Sequence, residues 1–211
     1  MMVKTIVCDI DGVLIWHHPK DPSKDWRKNF LSGNLLSLWE GFQCSRHWER
    51  CLRNPDLNAR SFFMNYLIDR GYAPGKDAHA LIDVWLKHNN EVCEPALRKL
   101  EEWKKNGFEC VLASNQDGMR KPYITRWLRK YGLDKLPIFF SCDVKAAKPD
   151  ARYFKYIQTV LQRKPEELLL LDDREENVAA AKKAGWAAIL IDKNCCQSSL
   201  KWDSIFLSPL P

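Results

Sequence analysis

The sequence predicts an α/β fold, in which a doubly wound parallel sheet carries a helical cap inserted after the first strand. Short apolar runs of strand length recur along the chain, and helical apolar patterns lie between the later runs. Residues 16–92, between the first run and the second, carry helical patterns alone. Because alternating strands and helices build parallel sheets with right-handed crossovers, we expect a core at 1–15 and 93–211 and a cap at 16–92.

Five apolar runs are the candidate strands. Strands that are buried on both faces of a parallel sheet are apolar almost throughout, whereas half-exposed strands alternate with polar residues. The runs lie at residues 3–8, 109–113, 137–140, 168–171 and 187–191, and the run at 137–140 is the weakest. We therefore expect a sheet of four or five parallel strands.

Apolar residues spaced three and four apart predict the helices between the later strands. Gly185 is a typical helix stop after the last of these patterns. The three predicted helices contain Ile124, Trp127, Leu128 and Tyr131; Phe154, Ile157 and Leu161; and Val178, Ala181 and Ala184. Sheets of this kind bind ligands at the carboxyl ends of their strands.

The inserted stretch also has helical spacing, in three groups: Leu35, Leu38, Trp39 and Phe42; Phe62, Phe63, Tyr66 and Leu67; and Leu81, Ile82, Trp85 and Leu86. Its tryptophans Trp39, Trp48 and Trp85 are predicted to pack between helices rather than to stack on nucleic-acid bases. Because the insertion leaves the sheet after the first strand and returns before the second, we expect it to lie over the strand ends.

Composition and charge exclude several classes of protein. The 211 residues are 45% hydrophobic and 28% charged, which is typical of a globular chain that buries a core. No run approaches the roughly 18 apolar residues that cross a bilayer, so no membrane partner is expected. The net charge of +6 is spread among acidic residues rather than collected into a stripe, so it favours small anionic ligands and no nucleic acid.

The cysteines and the amino-terminal run predict the compartment. Asp9 and Asp11 break the first apolar run before it could act as a secretory signal. The chain is too long to need disulfide staples, and its eight cysteines include no C-x-x-C pair. We therefore expect a cytoplasmic protein in which all cysteines are reduced, although the adjacent Cys195 and Cys196 have no explanation.

Polar residues occur where the first two predicted strands end. Asp9 and Asp11 follow the first strand and lie two residues apart, on the same side of an extended backbone, and Gly12 permits a tight turn after them. Ser114 and Asn115 follow the second strand, where a hydroxyl and backbone amides can cradle an anion. Each pair alone is also ordinary turn chemistry.

Two more polar clusters follow later strands. Lys148 precedes Pro149, which is expected in the first turn of a helix. Asp172 and Asp173 are adjacent at the mouth of a buried strand, where two carboxylates repel each other unless a cation or a proton lies between them. The four clusters together place four carboxylates, an anion cradle and a lysine at one edge of the sheet. Hard oxygen ligands in this number suit Mg²⁺.

This ordered set of motifs resembles the haloacid dehalogenase-like superfamily. The matching residues are D-x-D-G-V at 9–13, Ser114-Asn115, Lys148-Pro149 and D-D-x-x-x-N at 172–177. The stretches at 148–154 and 171–178 are most similar to the subgroup that contains sugar-1-phosphate phosphatases and the N-terminal domains of epoxide hydrolases. The resemblance implies a Rossmann-like catalytic core and a helical cap.

The resemblance also implies phosphate-ester hydrolysis. Asp9 would attack phosphorus and form an aspartyl-phosphate, and Asp11 would protonate the leaving alcohol and then deprotonate the incoming water. Dehalogenases of the superfamily carry Tyr at the position of Asp11, and phosphonate-cleaving members carry Ala. Asp11 therefore argues against haloacid dehalogenation.

The implied cofactor is Mg²⁺. It would be held by the side chain of Asp9, the backbone carbonyl of Asp11 and the carboxylate of Asp173, with Asp172 acting through a water. The implied ligands of the phosphoryl group are Ser114, the amide of Asn115 and Lys148.

The cap implies a small phosphorylated substrate, with a sugar phosphate first and a nucleotide second, bound by a monomer or a homodimer. Trp16, His17 and His18 follow the catalytic turn and are candidates for the entrance, although loop histidines are commonly just solvated. A phosphomutase with the same two aspartates is an alternative, as is a catalytically silent phosphate-binding domain. A phosphoacceptor signalling domain is disfavoured, because its acid pair follows the first strand, whereas the adjacent pair comes late in this chain.

Overall fold

The computed structural model describes residues 3–15, 34–87 and 91–192, together with the single residues 27, 202, 204 and 205. Five strands in this part of the chain form one parallel sheet, in the order β3-β2-β1-β4-β5. They are β1 (Thr5–Cys8), β2 (Glu109–Ser114), β3 (Ile138–Phe140), β4 (Leu168–Asp172) and β5 (Ala187–Leu190). The predicted α/β fold is confirmed, and so are all five strands.

The central strand β1 shows why the strands are apolar throughout. Val7 pairs with Val111 of β2 on one side and with Leu170 of β4 on the other. All four residues of β1 are buried. A strand that has a neighbour at each edge and helices over both faces exposes no side chain to water, so no polar alternation develops.

Five helices lie between β1 and β2 in the described chain. We call the first four the inserted helices: α1 (Leu35–Gln43), α2 (Arg46–Cys51), α3 (Ala59–Ile68) and α4 (Lys76–Lys87). They enclose their own apolar cluster. The ring of Trp39 is buried there, with its centre 4.9 Å from the ring centres of both Phe63 and Trp85. The ring of Trp48 lies 5.8 Å from that of Trp85. The predicted packing of the tryptophans between helices is confirmed.

Several contacts join the inserted stretch to the rest of the chain. At the base of the insertion, Ile15 and Val92 form an antiparallel bridge, which brings the two ends of the inserted stretch together. Further along, Met119 and Tyr123, from the segment that follows β2, pack against the apolar cluster of the inserted helices. The inserted helices therefore lie beside the carboxyl end of β2.

The remaining helices cover both faces of the sheet. They are α5 (Glu94–Lys105), α6 (Lys121–Lys130), α7 (Ser141–Val144), α8 (Ala151–Leu161) and α9 (Glu175–Lys183). One apolar cluster contains buried residues of α5 and α6, and a second contains buried residues of α8 and α9. This division makes the sheet doubly wound. Among the described residues, no helix is both long enough and apolar enough to cross a bilayer.

Apolar spacing alone does not predict α2, α5 or α7. Helices α2 and α7 have 6 and 4 residues, which is too short to show a repeating apolar pattern. Helix α5 buries a narrow stripe of Ala96, Leu100 and Trp103 among many charged residues. Helices α2 and α7 are therefore recognisable only through their packing, and the apolar signal of α5 is weak.

Pro149 does not lie in the first turn of a helix, as the sequence predicted. Helix α8 begins at Ala151, and the carboxylate of Asp150 accepts a hydrogen bond of 2.9 Å from the backbone N–H of Arg152. Asp150 is therefore the N-cap, and it satisfies an amide that has no partner within the helix. Pro149 precedes this cap, and its peptide bond with Lys148 is cis.

The prediction that all cysteines are reduced was wrong. Cys93 is disulfide-bonded, whereas Cys8, Cys44, Cys51, Cys110 and Cys142 are free. The length of a chain shows that it does not need staples, but it does not prevent a bond where two thiols meet. Cys195 and Cys196 lie outside the described residues, and the cytoplasmic compartment stays a prediction.

Candidate functional site

Asp9 follows β1 directly and is held among charged groups. Its side-chain Oδ1 accepts a hydrogen bond of 2.7 Å from the backbone N–H of Ile10, and its Oδ2 lies 3.0 Å from Nζ of Lys148. Burial raises the pKa of Asp9 well above its ordinary value; Lys148 opposes this shift, and the carboxylates of Asp172 and Asp173 add to it. The carboxylate is therefore fixed in orientation and strongly influenced by nearby charge.

Lys148 is the buried cation of this group. Its side chain is 1% exposed, and Nζ lies 2.5 Å from Oδ2 of Asp172 and 2.9 Å from the carbonyl oxygen of Ala113. Burial alone would lower the pKa of Lys148, but the carboxylates of Asp172 and Asp9 outweigh burial and raise it above its ordinary value. The ammonium group therefore stays charged although it is buried.

Asp172 accepts hydrogen bonds from three protein groups. In addition to Lys148, which contacts Oδ2, the backbone N–H of Arg174 and the side-chain amide of Asn177 donate to Oδ1, at 3.0 and 2.8 Å. Asn177, which ends the D-D-x-x-x-N motif, therefore braces this acidic turn. Asp172 thus fixes Lys148 and the start of α9 in relation to each other.

Asp173 approaches the turn that follows Asp9, and Gly12 makes the approach possible. A Cβ atom at position 12 would lie 2.1 Å from Oδ2 of Asp173, and Gly12 has a φ of 83°. Glycine adopts this backbone conformation without the steric cost that other residues meet. Burial, followed by the nearby charge of Asp172, raises the pKa of Asp173 to about 6.

The three carboxylates form a group that fits a divalent cation. Asp9, Asp172 and Asp173 each offer an oxygen, and these oxygens lie within 4.8 Å of one another. The ammonium group of Lys148 contacts two of these carboxylates. When all three carboxylates are ionised, the three aspartates and Lys148 together carry two negative charges. Crowded carboxylates in low-dielectric surroundings repel one another unless a cation lies between them. Hard oxygen donors with this charge match Mg²⁺.

Asp11 lies two residues from Asp9, but its carboxylate has different partners. Oδ1 accepts from Nη2 of Arg120 at 2.8 Å, and Oδ2 accepts from Nη1 at 2.9 Å. The side-chain amide of Gln116 also donates to Oδ2. Because β1 ends at Cys8, the two aspartates lie on a turning segment, and their side chains reach different groups.

Ser114 and Asn115 end β2 next to these residues. The hydroxyl of Ser114 is buried and accepts a hydrogen bond of 3.0 Å from the Gln116 side chain. The Asn115 side chain makes two hydrogen bonds with the backbone of Lys148, as a donor at 2.8 Å and as an acceptor at 2.9 Å. Asn115 therefore ties the loop after β2 to the loop that carries Lys148.

The sequence analysis missed Gln116 and Arg120. Both follow Ser114-Asn115 within the same segment after β2, which is the one signal that could have drawn attention to them. Their partner Asp11 is more than 100 residues away in the chain, so no local pattern predicts the contact. The entrance candidates Trp16, His17 and His18 lie outside the described residues.

A cavity of about 450 Å³ adjoins the site. Asp11, Asn115 and Arg120 line it from the sheet side, and Trp39 and Trp85 are among the residues that line it from the inserted helices. The inserted helices therefore face the carboxyl ends of β1 and β2 across a space large enough for a small ligand.

Two curated proteins are similar to this chain. The chain is 27% identical over 214 residues to bifunctional epoxide hydrolase 2 of Rattus norvegicus, in a match that covers 90% of this chain and 37% of the relative. It is also 27% identical over 100 residues to bifunctional epoxide hydrolase 2 of Mus musculus, covering 46% of this chain and 18% of the relative. The chain thus spans well under half the length of these relatives.

Solved structures show the same fold. An L-2-haloacid dehalogenase from Xanthobacter autotrophicus, with chloropropionic acid covalently bound, is 18% identical with a TM-score of 0.65, covering 90% of this chain and 78% of that one. A haloacid dehalogenase family enzyme from Bacteroides thetaiotaomicron, in complex with magnesium and inorganic phosphate, is 20% identical with a TM-score of 0.65, covering 90% and 95%. At these identities the likeness concerns the fold alone.

A family model of haloacid dehalogenase-like hydrolases matches residues 3–185. The matched range contains both aspartates of the first turn, the Ser114-Asn115 pair, Lys148 and the two adjacent aspartates after β4. The match therefore includes the acidic group, the buried lysine and the inserted helices together. This chain belongs to the haloacid dehalogenase-like hydrolase family.

Proposed function

We propose that the chain is a Mg²⁺-dependent phosphomonoester hydrolase that acts on a small phosphorylated metabolite, with a sugar phosphate preferred. The observation that carries this proposal is the different surroundings of two aspartates that are close in sequence. Asp9 contacts Lys148 within the acidic group, whereas Asp11 contacts Arg120 and Gln116. When two carboxylates lie in different surroundings, one can act as the nucleophile and the other as the general acid and base.

The residues that would hold Mg²⁺ are the carboxylates of Asp9 and Asp173, with the backbone carbonyl of Asp11. Asp172 would act through a water, because its two oxygens already accept hydrogen bonds from Lys148, Arg174 and Asn177. When bound, the ion offsets the repulsion between the carboxylate of Asp9 and an anionic phosphate ester.

In this proposal Asp9 and Asp11 divide the reaction into two steps. A carboxylate oxygen of Asp9 forms a bond to phosphorus while the bond from phosphorus to the alcohol oxygen breaks, and Asp11 gives its proton to that oxygen. Water then attacks the phosphorus of the aspartyl-phosphate. Asp11 takes a proton from this water, the bond to Asp9 breaks, and inorganic phosphate leaves.

Ser114, the backbone amide of Asn115 and Lys148 would bind the phosphoryl oxygens. The two hydrogen bonds between the Asn115 side chain and the Lys148 backbone hold these donors in relation to one another before the substrate arrives. Donors that are already fixed require no reorganisation when charge spreads over the phosphoryl oxygens in the transition state.

The inserted helices would act as the cap of this enzyme, which gives residues 16–92 to a cap and residues 1–15 and 93–211 to a catalytic core. A cap over the strand ends excludes bulk water and surrounds the alcohol part of the substrate. The cavity beside Asp11 supports this role, because inserted helices form one of its walls. We propose a small substrate for the same reason.

Metal removal is the direct test of the proposed function. We expect a panel of sugar phosphates, nucleoside monophosphates and p-nitrophenyl phosphate to yield inorganic phosphate with Mg²⁺, little phosphate with excess chelator, and full release again when Mg²⁺ is restored. If phosphate were released as fast in excess chelator as with Mg²⁺, the metal would have no part in the reaction. Interconversion of sugar phosphate isomers with almost no free phosphate would instead support the phosphomutase.

Asp11→Asn tests the acid and base role. We expect the rate with an alkyl phosphate to fall by about 10²–10⁴, while the rate with p-nitrophenyl phosphate falls much less, because an activated leaving group needs little protonation. The measurement is kcat for both esters. Asp134→Asn is a matched control, because Asp134 also pairs with an arginine of α6 but lies outside the site. An equal loss with both esters would contradict the assigned role.

A further inference from the structure

Arg120 connects Asp11 to the inserted helices. Arg120 is the N-cap of α6, and its guanidinium forms the two-point ion pair with Asp11 described above, in which the two side chains are 11% and 16% exposed. Its Cζ atom lies 5.1 Å from the ring centre of Trp85 on α4. Because a guanidinium is attracted to the face of an aromatic ring, Arg120 is held by a carboxylate and by an indole together.

The ion pair engages both oxygens of Asp11. If Asp11 is to transfer a proton to the ester oxygen, one of its own oxygens must face that atom, so the two-point pair with Arg120 has to open. Gln116 can keep the carboxylate in place when this happens, because its amide contacts Asp11 and is itself held by the hydroxyl of Ser114 at 3.0 Å. A ligand group that takes Arg120 away from Asp11 would therefore complete the site.

The cavity beside the pair is rich in guanidinium groups. Three arginines line it against two acidic residues, and these five are Arg27, Arg120, Arg174, Asp11 and Glu40. If phosphorus lies next to Asp9 and the ester oxygen next to Asp11, the alcohol part of the substrate extends into this space. The surroundings thus favour an alcohol that carries a negative charge of its own.

We propose that the substrate is a phosphorylated hydroxy acid and that Arg120 recognises its carboxylate. This inference rests on the proposed hydrolase activity, and it replaces the preference for sugar phosphates in general with a preference for esters whose alcohol part carries a carboxylate. In the present structure Asp11 shows the kind of partner that Arg120 accepts, which is a planar carboxylate bound at two points. The substrate carboxylate replaces Asp11 on the guanidinium, and Asp11 then faces the ester oxygen. A neutral sugar phosphate has no group that can make this exchange.

A matched pair of substrates tests the inference in the unmodified protein. 3-Phosphoglycerate and glycerol 3-phosphate have the same three-carbon frame and differ by a carboxylate in place of a CH₂OH group. We expect kcat/KM with Mg²⁺ to be about tenfold or more higher for 3-phosphoglycerate, which is the preference expected from one charged two-point contact. Equal values for the two esters would overturn the proposal.

Three variants assign the preference to Arg120. We expect Arg120→Met to remove it, and Arg120→Lys to keep a small part, because lysine retains the charge but cannot bind a carboxylate at two points. Arg129→Met is the matched control, since it removes the same charge from a 73% exposed position on the same helix, and it should keep the preference. If Arg129→Met reduced the preference as much as Arg120→Met, general attraction by the positive protein would explain it and the site would be refuted.

A binding experiment separates this inference from the hydrolase itself. 3-Phosphonopropionate and propylphosphonate resist hydrolysis and differ in the carboxylate alone, so their dissociation constants with Mg²⁺ report recognition without turnover. We expect the carboxylate-bearing compound to bind the wild type about tenfold more tightly than propylphosphonate does, and we expect the two compounds to bind Arg120→Met equally well.

Discrimination between the two compounds without phosphate release from any ester would refute the hydrolase and support the carboxylate site. Phosphate release without discrimination would refute the carboxylate site alone. If Arg120→Met does not fold, Arg120→Lys and the two wild-type comparisons decide the question.

Discussion

Asp9→Asn is expected to reduce the release of phosphate by about four orders of magnitude or more, which is typical when a catalytic nucleophile is removed. An amide oxygen is a poor nucleophile, so the step that forms the aspartyl-phosphate is lost. The substitution keeps the shape of the side chain and removes one negative charge from a group in which burial and neighbouring carboxylates already raise the pKa of Asp9. We therefore expect the fold and its thermal stability to be retained.

The measurement is kcat for the best phosphate ester, together with the midpoint of thermal unfolding. Asp143→Asn is the matched control, because Asp143 pairs with Lys121 at 2.7 Å as Asp9 pairs with Lys148, but its side chain is exposed. The control should retain activity. Release of phosphate by Asp9→Asn at the wild-type rate would show that another group attacks phosphorus.

Lys148→Met is expected to have the largest effect on stability. Removing one member of a buried ion pair leaves an uncompensated charge, which costs about 3–5 kcal/mol in the free energy of unfolding. Here two carboxylates, those of Asp9 and Asp172, lose the same cation. We also expect turnover to be lost, because the phosphoryl oxygens lose a positive charge.

The loss of stability in Lys148→Met should depend on pH in a definite direction. Burial and the remaining carboxylates keep the pKa of Asp9 above its ordinary value, so its carboxylate takes up a proton at a higher pH than an exposed aspartate does. Protonation removes a buried negative charge, and the stability deficit of Lys148→Met relative to the wild type should therefore shrink at lower pH. Added Mg²⁺ should reduce the deficit at pH 7, because it compensates the same carboxylates.

Denaturant unfolding at pH 7 and at pH 5 measures both effects. The matched control is Lys155→Met on α8, which makes the same change at an exposed position and should unfold like the wild type. If Lys148→Met were as stable as this control at pH 7, Lys148 would not be the cation that holds the acidic group together.

The sheet and the position of the site follow from local patterns in the sequence. Each strand is a short apolar run because both of its faces are covered, and this can be recognised without any knowledge of its neighbours. In β/α folds of this type the carboxyl ends of the strands meet at one edge. The residues after β1, β2 and β4 could therefore be assigned to one site before any contact was known, and the structure brings Asp9, Lys148, Asp172 and Asp173 together.

Elements whose stability comes from packing were not predictable in this way. Helix α2 is too short for a periodic signal, and it is held by contacts with α1 and α3. Pro149 was assigned to a helix by a general preference of proline, although the neighbouring Asp150 is the residue that caps the helix. Cys93 was expected to be a free thiol on the basis of chain length, which contains no information about which groups meet.

The order of apolar runs along the chain was enough to establish the parallel sheet, the inserted helices and the edge at which polar residues collect, because each of these features depends on residues that are neighbours in the chain. The tertiary structure alone decided how the charges at that edge are shared. Asp9 lies with Lys148, whereas Asp11 lies with Arg120, although the two aspartates are separated by a single residue. Such pairings join segments more than 100 residues apart, and they depend on how the loops pack, which no periodic pattern records.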